Sequence, residues 1–141
     1  MKCSKWISGV LGVAALGLWV NGVAQSKPDY GKLEYQSNCA ACHGENGEGF
    51  GYYASFIKKS PSDLTTLAKR NGGVFPISHV YEVIDGRQTT KWHGTRDMPI
   101  WGADFVASAA KETGGVYNIP EVMARSRILV LVDYLYRIQK K

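Results

Sequence analysis

Apolar positions divide this chain into one long run at the start and several short segments of helical period after it. From Trp6 to Val20 almost every residue is apolar, with Lys2 and Lys5 before the run and Asn21-Gly22-Val23-Ala24 after it. A charged start, an apolar middle and small residues at Gly22 and Ala24 predict an export signal over residues 1–24, cleaved before Gln25. The alternative is an uncleaved membrane anchor, because Trp6–Ala24 approaches the length of a bilayer span. Cys3 precedes the run without a lipobox and is lost with the signal. Residues 25–141 then make one domain on length alone.

Ser26-Lys27-Pro28-Asp29 predicts a helix start, with Pro28 able to occupy the first turn, and a first helix from about Tyr30 to the cysteines. Gly31 costs that helix stability unless another element must come close. Leu64–Arg70 reads as a short helix with Asp63 as its N-cap and Gly72-Gly73 as its stop. Ile77–Asp85 is a further turn or two, carrying Val80, Val83 and Ile84 at helical spacing and ending at Gly86. A long loop is predicted over Arg87–Gly102, and the polar segment Asp104–Asn118 reads as a solvated loop, with a partner surface as the alternative. Pro120 opens the last helix, where Val122, Leu129, Val132, Leu135 and Ile138 supply an apolar face with Leu131 and Tyr134 beside it. Arg137, Lys140 and Lys141 suit the negative pole of its dipole. No strand pattern and no repeat is present, so the fold class is all-α. Short helices and long loops make a poor core by themselves, which a large apolar cofactor would complete.

Composition changes this picture little: 45% hydrophobic and 21% charged residues are ordinary for a globular chain. Without Lys2 and Lys5 the chain keeps 15 of its 17 basic residues against 12 acidic ones, a net +3. That mild excess can steer the protein toward an acidic partner, and is too weak and scattered for nucleic acid.

The chemistry lies in Cys39-Ala40-Ala41-Cys42-His43, the spacing of a haem attachment site. By chance such a pattern arises about once in a thousand chains of this composition. Two thiols on one helical turn reach the two vinyl groups along one porphyrin edge, and the next residue aims its imidazole at the iron. A dithiol redox site would require a βαβ surround, and a zinc site two more ligands in ordered spacing, whereas His79 and His93 are isolated. For the sixth iron ligand the candidates are Met98, Met123, His79 and His93, or an open position. Met98 stands in His93-Gly94-Thr95-Arg96-Asp97-Met98-Pro99-Ile100-Trp101-Gly102, a loop stiffened by Pro99 that can hold a weak thioether ligand. Met123 lies near the apolar face of the last helix, where methionine is usually core filler.

The stretch YQSNCAACHGENGEGFG (Tyr35–Gly51) resembles the haem-binding start of class I c-type cytochromes. Pro61-Ser62-Asp63-Leu64-Thr65 resembles the next haem-edge loop of the bacterial monohaem members. Ile84-Asp85-Gly86-Arg87 and HGTRDMPIWG resemble their distal loop, and ILVLVDYLYRI their C-terminal helix. The resemblance implies the cytochrome c-like fold: three to five short helices wrapped around one covalent haem c, with the N- and C-terminal helices crossing near Gly31 against Tyr134 or Leu135. It implies Cys39 and Cys42 as thioether anchors, His43 as the proximal iron ligand and Met98 as the distal one. Members usually follow the motif with a proline whose carbonyl holds the proximal histidine. Here Gly51-Tyr52-Tyr53-Ala54 stands where many have Gly-Pro, and Pro61 is the nearby candidate.

The function implied is that of a periplasmic one-electron carrier, monomeric, meeting a donor such as a dehydrogenase and an acceptor such as an oxidase or reductase in transient contacts. A membrane role arises only if the N-terminal segment is retained. The alternatives are a haem enzyme or gas- or peroxide-binding protein with a labile sixth ligand, for which His93 and Arg96 are the candidate distal pair, and a fixed cytochrome subunit of a dehydrogenase complex. Among the other residues, Gly44, Gly47, Gly49 and Gly51 are expected to let the backbone pass the haem edge. Trp92, Trp101, Tyr52, Tyr53 and Tyr81 are expected in the core or against the haem, Trp101 nearest a propionate. Arg87 is a propionate partner or a surface residue, and Lys58-Lys59 are solvated charges.

Overall fold

The computed structural model describes residues 27–87 and 98–141, and their regular structure is helical throughout. The signal segment, Trp92, His93 and Arg96 lie outside those residues. Six α-helical segments succeed one another: α1 Tyr30–Asn38, α2 Ala40–His43, α3 Leu67–Arg70, α4 Ile77–Asp85, α5 Trp101–Thr113 and α6 Ile119–Arg137. Short 3-10 turns occupy Tyr52–Phe56 and Leu64–Thr66. No helix among the described residues is long and apolar enough to cross a membrane.

Asp29, and not Pro28, sets the start of α1: its carboxylate accepts the Lys32 backbone N–H at 3.1 Å, leaving Pro28 outside the helix. The same carboxylate takes both terminal nitrogens of Arg137 at 2.8 Å, so the start of α1 is tied to the end of α6. Farther along, Gly31 lies against Val130 and Tyr134, and Glu34 receives Arg127 Nε at 2.9 Å and Nη2 at 3.0 Å. Ascending positions of α1 thus meet descending positions of α6, which is the predicted crossing of the terminal helices.

The prediction of a solvated loop over Asp104–Asn118 is wrong. Residues Trp101–Thr113 form α5, whose Gly102, Phe105 and Ala109 are buried against the remainder of the fold. Gly102, Phe105 and Ala109, three and four residues apart, make that inward face at helical spacing. Only Gly114–Asn118 turns the chain back, with Asn118 in the left-handed region at φ 62°. The face of α6 is also rotated from the predicted one: Val122 and Leu129 are exposed, while Ala124, Ile128, Leu131, Val132, Tyr134 and Leu135 are buried. Leu131 and Tyr134, predicted to flank the face, are central to it. α5 accounts for this rotation, because α6 must bury one side against α1 and another against α5.

Arg127 joins these three helices. Besides Glu34, it donates to Ser108 Oγ at 2.8 Å and lies 4.0 Å above the Phe105 ring, so its charge is matched by a carboxylate and an aromatic face. The core beneath is Tyr35, Phe105, Ile128 and Leu131, all essentially inaccessible, with Ile84 and Leu135 beside them. Cys39, Leu64, Met98 and Trp101 pack on its edge, partly buried.

Candidate functional site

The end of α1 runs directly into the Cys-x-x-Cys-His segment. Cys39 N–H donates to the Tyr35 carbonyl at 2.8 Å, and Cys42 N–H and His43 N–H both donate to the Cys39 carbonyl, at 3.1 and 2.9 Å. This continuous turn places the two thiols and the imidazole on adjacent positions of one helical surface. The next loop folds back on it: Gly51 N–H donates to the Cys42 carbonyl at 3.1 Å, and a Cβ at Gly51 would stand 2.6 Å from that oxygen. Gly51 therefore serves backbone-on-backbone packing against the Cys42 carbonyl.

His43 Nδ1 lies 3.0 Å from the Ser62 carbonyl oxygen. A carbonyl can only accept, so Nδ1 carries the hydrogen and the lone pair is on Nε2, the nitrogen suited to ligate a metal. The acceptor is thus Ser62, one residue beyond the candidate Pro61. Only a backbone atom is used, so side-chain identity gives no signal for it.

Ser62 is held by the residues immediately after it. Asp63 accepts the Thr65 backbone N–H at 2.8 Å and the Thr65 hydroxyl, capping the Leu64–Thr66 turn as predicted. Partial burial is the largest single influence on Asp63 and pushes its pKa up. The Thr65 bonds, with Lys140 and Arg70 nearby, outweigh it and hold the carboxyl below the usual aspartate range. A depressed native pKa gives stability that is complete above the unfolded value and is lost as pH falls through the native one. Asp63→Ala is expected to cost about 1 kcal/mol at pH 7. Chemical denaturation in a pH series should show the two proteins converging below about pH 4; a constant difference down to pH 2 would contradict this role.

The Cys39–His43 turn opens on two adjoining cavities. The larger, about 300 Å³, is lined by residues including Cys39, Cys42, His43, Tyr53, Met98 and Trp101. The smaller, about 140 Å³, shares Cys39, His43 and Met98 and is lined further by Leu64, Val80, Ile84, Leu131 and Leu135. The structure therefore brings Cys39, Cys42, His43 and Met98, named from the sequence, around one apolar space of the size small-molecule sites have. Met123 lines neither cavity, whereas His79 lines the smaller one. Burial in these surroundings, with Glu34 and Cys42 adding to it, pushes the Cys39 thiol up to about 12, the mark of a dry environment. A flat apolar ring with one edge at the two cysteines and a metal near His43 Nε2 matches this lining. Among the described residues no three His, Cys, Asp or Glu side chains come together as a site for a bare metal ion.

The aromatic and charged residues are placed less uniformly than predicted. Tyr81 packs on the core edge, but Tyr52 is 76% and Tyr53 52% exposed, with Tyr53 still reaching the cavity wall. Arg87 pairs with Asp85. At the other end of the chain Lys140 bonds Glu48 at 2.6 Å and Arg137 bonds Asp29, so these are cross-links within the fold and not only charges at a helix pole.

A helical fold closed around an apolar cavity, with a Cys-x-x-Cys-His turn on its wall, defines a protein built to hold a covalently attached haem. The sequence pattern of the family Cytochrome c matches residues 28–102, more than half of the chain, and this chain belongs to that family as a class I c-type cytochrome. No curated protein and no solved structure matches it. Family membership brings covalent haem c and haem-based electron transfer as the protein's chemistry.

Proposed function

We propose that this protein carries one electron at a time on a single haem c, anchored by Cys39 and Cys42 and ligated by His43 and Met98, between redox proteins outside the cytoplasm. The observation that carries the reading is that His43 and Met98 line the same apolar space, with His43 fixed in the Nε2-ligating tautomer by the Ser62 carbonyl. When bound, the haem supplies a reversible Fe(III)/Fe(II) couple. The protein's residues do the rest. His43 and Met98 would both hold the iron in either oxidation state, so little of the protein would have to move as the electron arrives. Met98 favours the reduced state and raises the potential, and the apolar lining by Val80, Ile84, Leu131 and Leu135 acts in the same direction. Residues 1–24 act as the export signal, and residues 25–141 work as a monomer in brief contacts with a donor and an acceptor, as small redox interfaces do.

Expression with a haem-maturation system tests this. Mass spectrometry of the denatured protein should show one haem per chain on the peptide holding Cys39–His43, and Cys39→Ala/Cys42→Ala should abolish it. Redox titration of the holoprotein should be reversible with a one-electron slope. Haem that washes away under denaturing conditions, or more than one haem per chain, would contradict the proposal.

A further inference from the structure

The last residues of the chain meet the segment that orients His43. After α6 ends, the half-buried Gln139 uses its amide three times: Oε1 accepts the Ala68 N–H at 2.9 Å, and Nε2 donates to the Leu64 carbonyl at 2.8 Å and the Leu135 carbonyl at 2.6 Å. The partners all lie at helix ends: an early N–H of α3, a carbonyl of the turn before it, and a late carbonyl of α6. Lys140 N–H then donates to the Thr65 carbonyl at 2.8 Å. From the opposite side Leu64 N–H donates to the Gly47 carbonyl at 2.7 Å. Residues 64 and 65, separated from the Ser62 carbonyl only by Asp63, are therefore clamped between the loop after His43 and the chain's tail.

We propose that Gln139 is a positioning residue for the proximal ligand: it fixes the Leu64–Thr65 backbone, which fixes the Ser62 carbonyl on His43 Nδ1 and so sets the basicity of the imidazole. The proposal rests on His43 being the iron ligand. A hydrogen bond from the outer N–H makes a ligating imidazole more basic, and a more basic ligand stabilises ferric iron over ferrous. Releasing the clamp lets the 3.0 Å bond lengthen, which lowers that basicity and favours the reduced protein.

The test is Gln139→Leu in the holoprotein, a neutral change of similar bulk, with Gln139→Ala as a second variant if leucine impairs folding. The equilibrium with a reference couple should shift toward reduced protein about threefold, equivalent to about 28 mV for one electron. The paramagnetically shifted NMR signals of the His43 ring should move with it, at temperatures where wild type and variant are both fully folded. Lys140→Ala gives the sign control. It removes a positive charge near Glu48 and Asp63, so any shift it causes is toward oxidised protein and shrinks with added salt. An unmoved potential and unmoved His43 signals in Gln139→Leu or Gln139→Ala, in a protein whose wild type is ligated by His43, overturn the positioning role and leave the site reading standing. Wild-type signals showing His43 off the iron overturn the site reading itself.

Discussion

Gly31→Ala is expected to destabilise the protein by about 3 kcal/mol, the upper range for forcing atoms into a packed contact. The added Cβ would lie 2.9 Å from Tyr134 Cβ and closer still to the Val130 carbonyl oxygen, a backbone atom that cannot swing aside. Alanine's better helix propensity returns at most about 1 kcal/mol, less than the clash costs. To accept the methyl group α1 must move off α6, loosening the Asp29–Arg137 and Glu34–Arg127 pairs on either side of the contact. The Cys39–His43 turn continues directly from α1, so that movement reaches the two thiols and the imidazole. Thermal unfolding of the holoprotein measures the effect, with a fall in Tm of about 10 °C expected for a domain of this size. An unchanged Tm would show that the two helices do not meet at Gly31.

This contact was legible in the sequence, because a glycine inside a helical pattern asks for a packing reason and the resemblance supplied one. The Cys39-Ala40-Ala41-Cys42-His43 turn was equally legible, since its spacing is dictated by the chemistry of attachment and hardly by tertiary context. Asp63 as a cap and Gly86 as a helix end came from local backbone preferences, which act over three or four residues and survive folding. α5 was missed for the opposite reason. Of its buried positions only Phe105 is large, with Gly102 and Ala109 beside it and Ala103 and Ala107 left exposed, so the buried face is defined by what packs on it. Missing α5 also misplaced the buried face of α6, because Val122 and Leu129 look inward only if nothing competes for the other side. The Ser62 carbonyl and the Gln139 amide were beyond reach: one is a backbone atom, and the other gains its role from contacts 71 and 75 residues away along the chain.

The second large effect is that of Met98→Ala. Met98 packs on the core edge and lines both cavities beside His43. Pro99 comes next and Ile100 leads into the first turn of α5, so the methionine is held at the start of a packed helix. A thioether held in this way would lose little freedom on ligating a metal, so even a weak bond would persist. On the proposed ligation, removing it leaves His43 on the iron, with His79 the other imidazole on the cavity wall. The potential should then fall on the order of 0.1 V, since axial ligands are the main determinant of haem potentials. The fold should hold, as truncating a partly buried methionine costs about 2 kcal/mol.

Carbon monoxide binding to the reduced protein tests the central claim most directly, because it reports whether a protein side chain already fills the sixth position. Visible spectra of oxidised and reduced wild type and Met98→Ala, with and without carbon monoxide, constitute the measurement. The expected result is a low-spin wild type with the weak far-red sulfur-to-iron band and no response to the gas, and a variant that loses the band and binds it readily. A wild type that is already high-spin and takes up carbon monoxide would remove Met98 from the iron and, with it, the electron-carrier reading of this site.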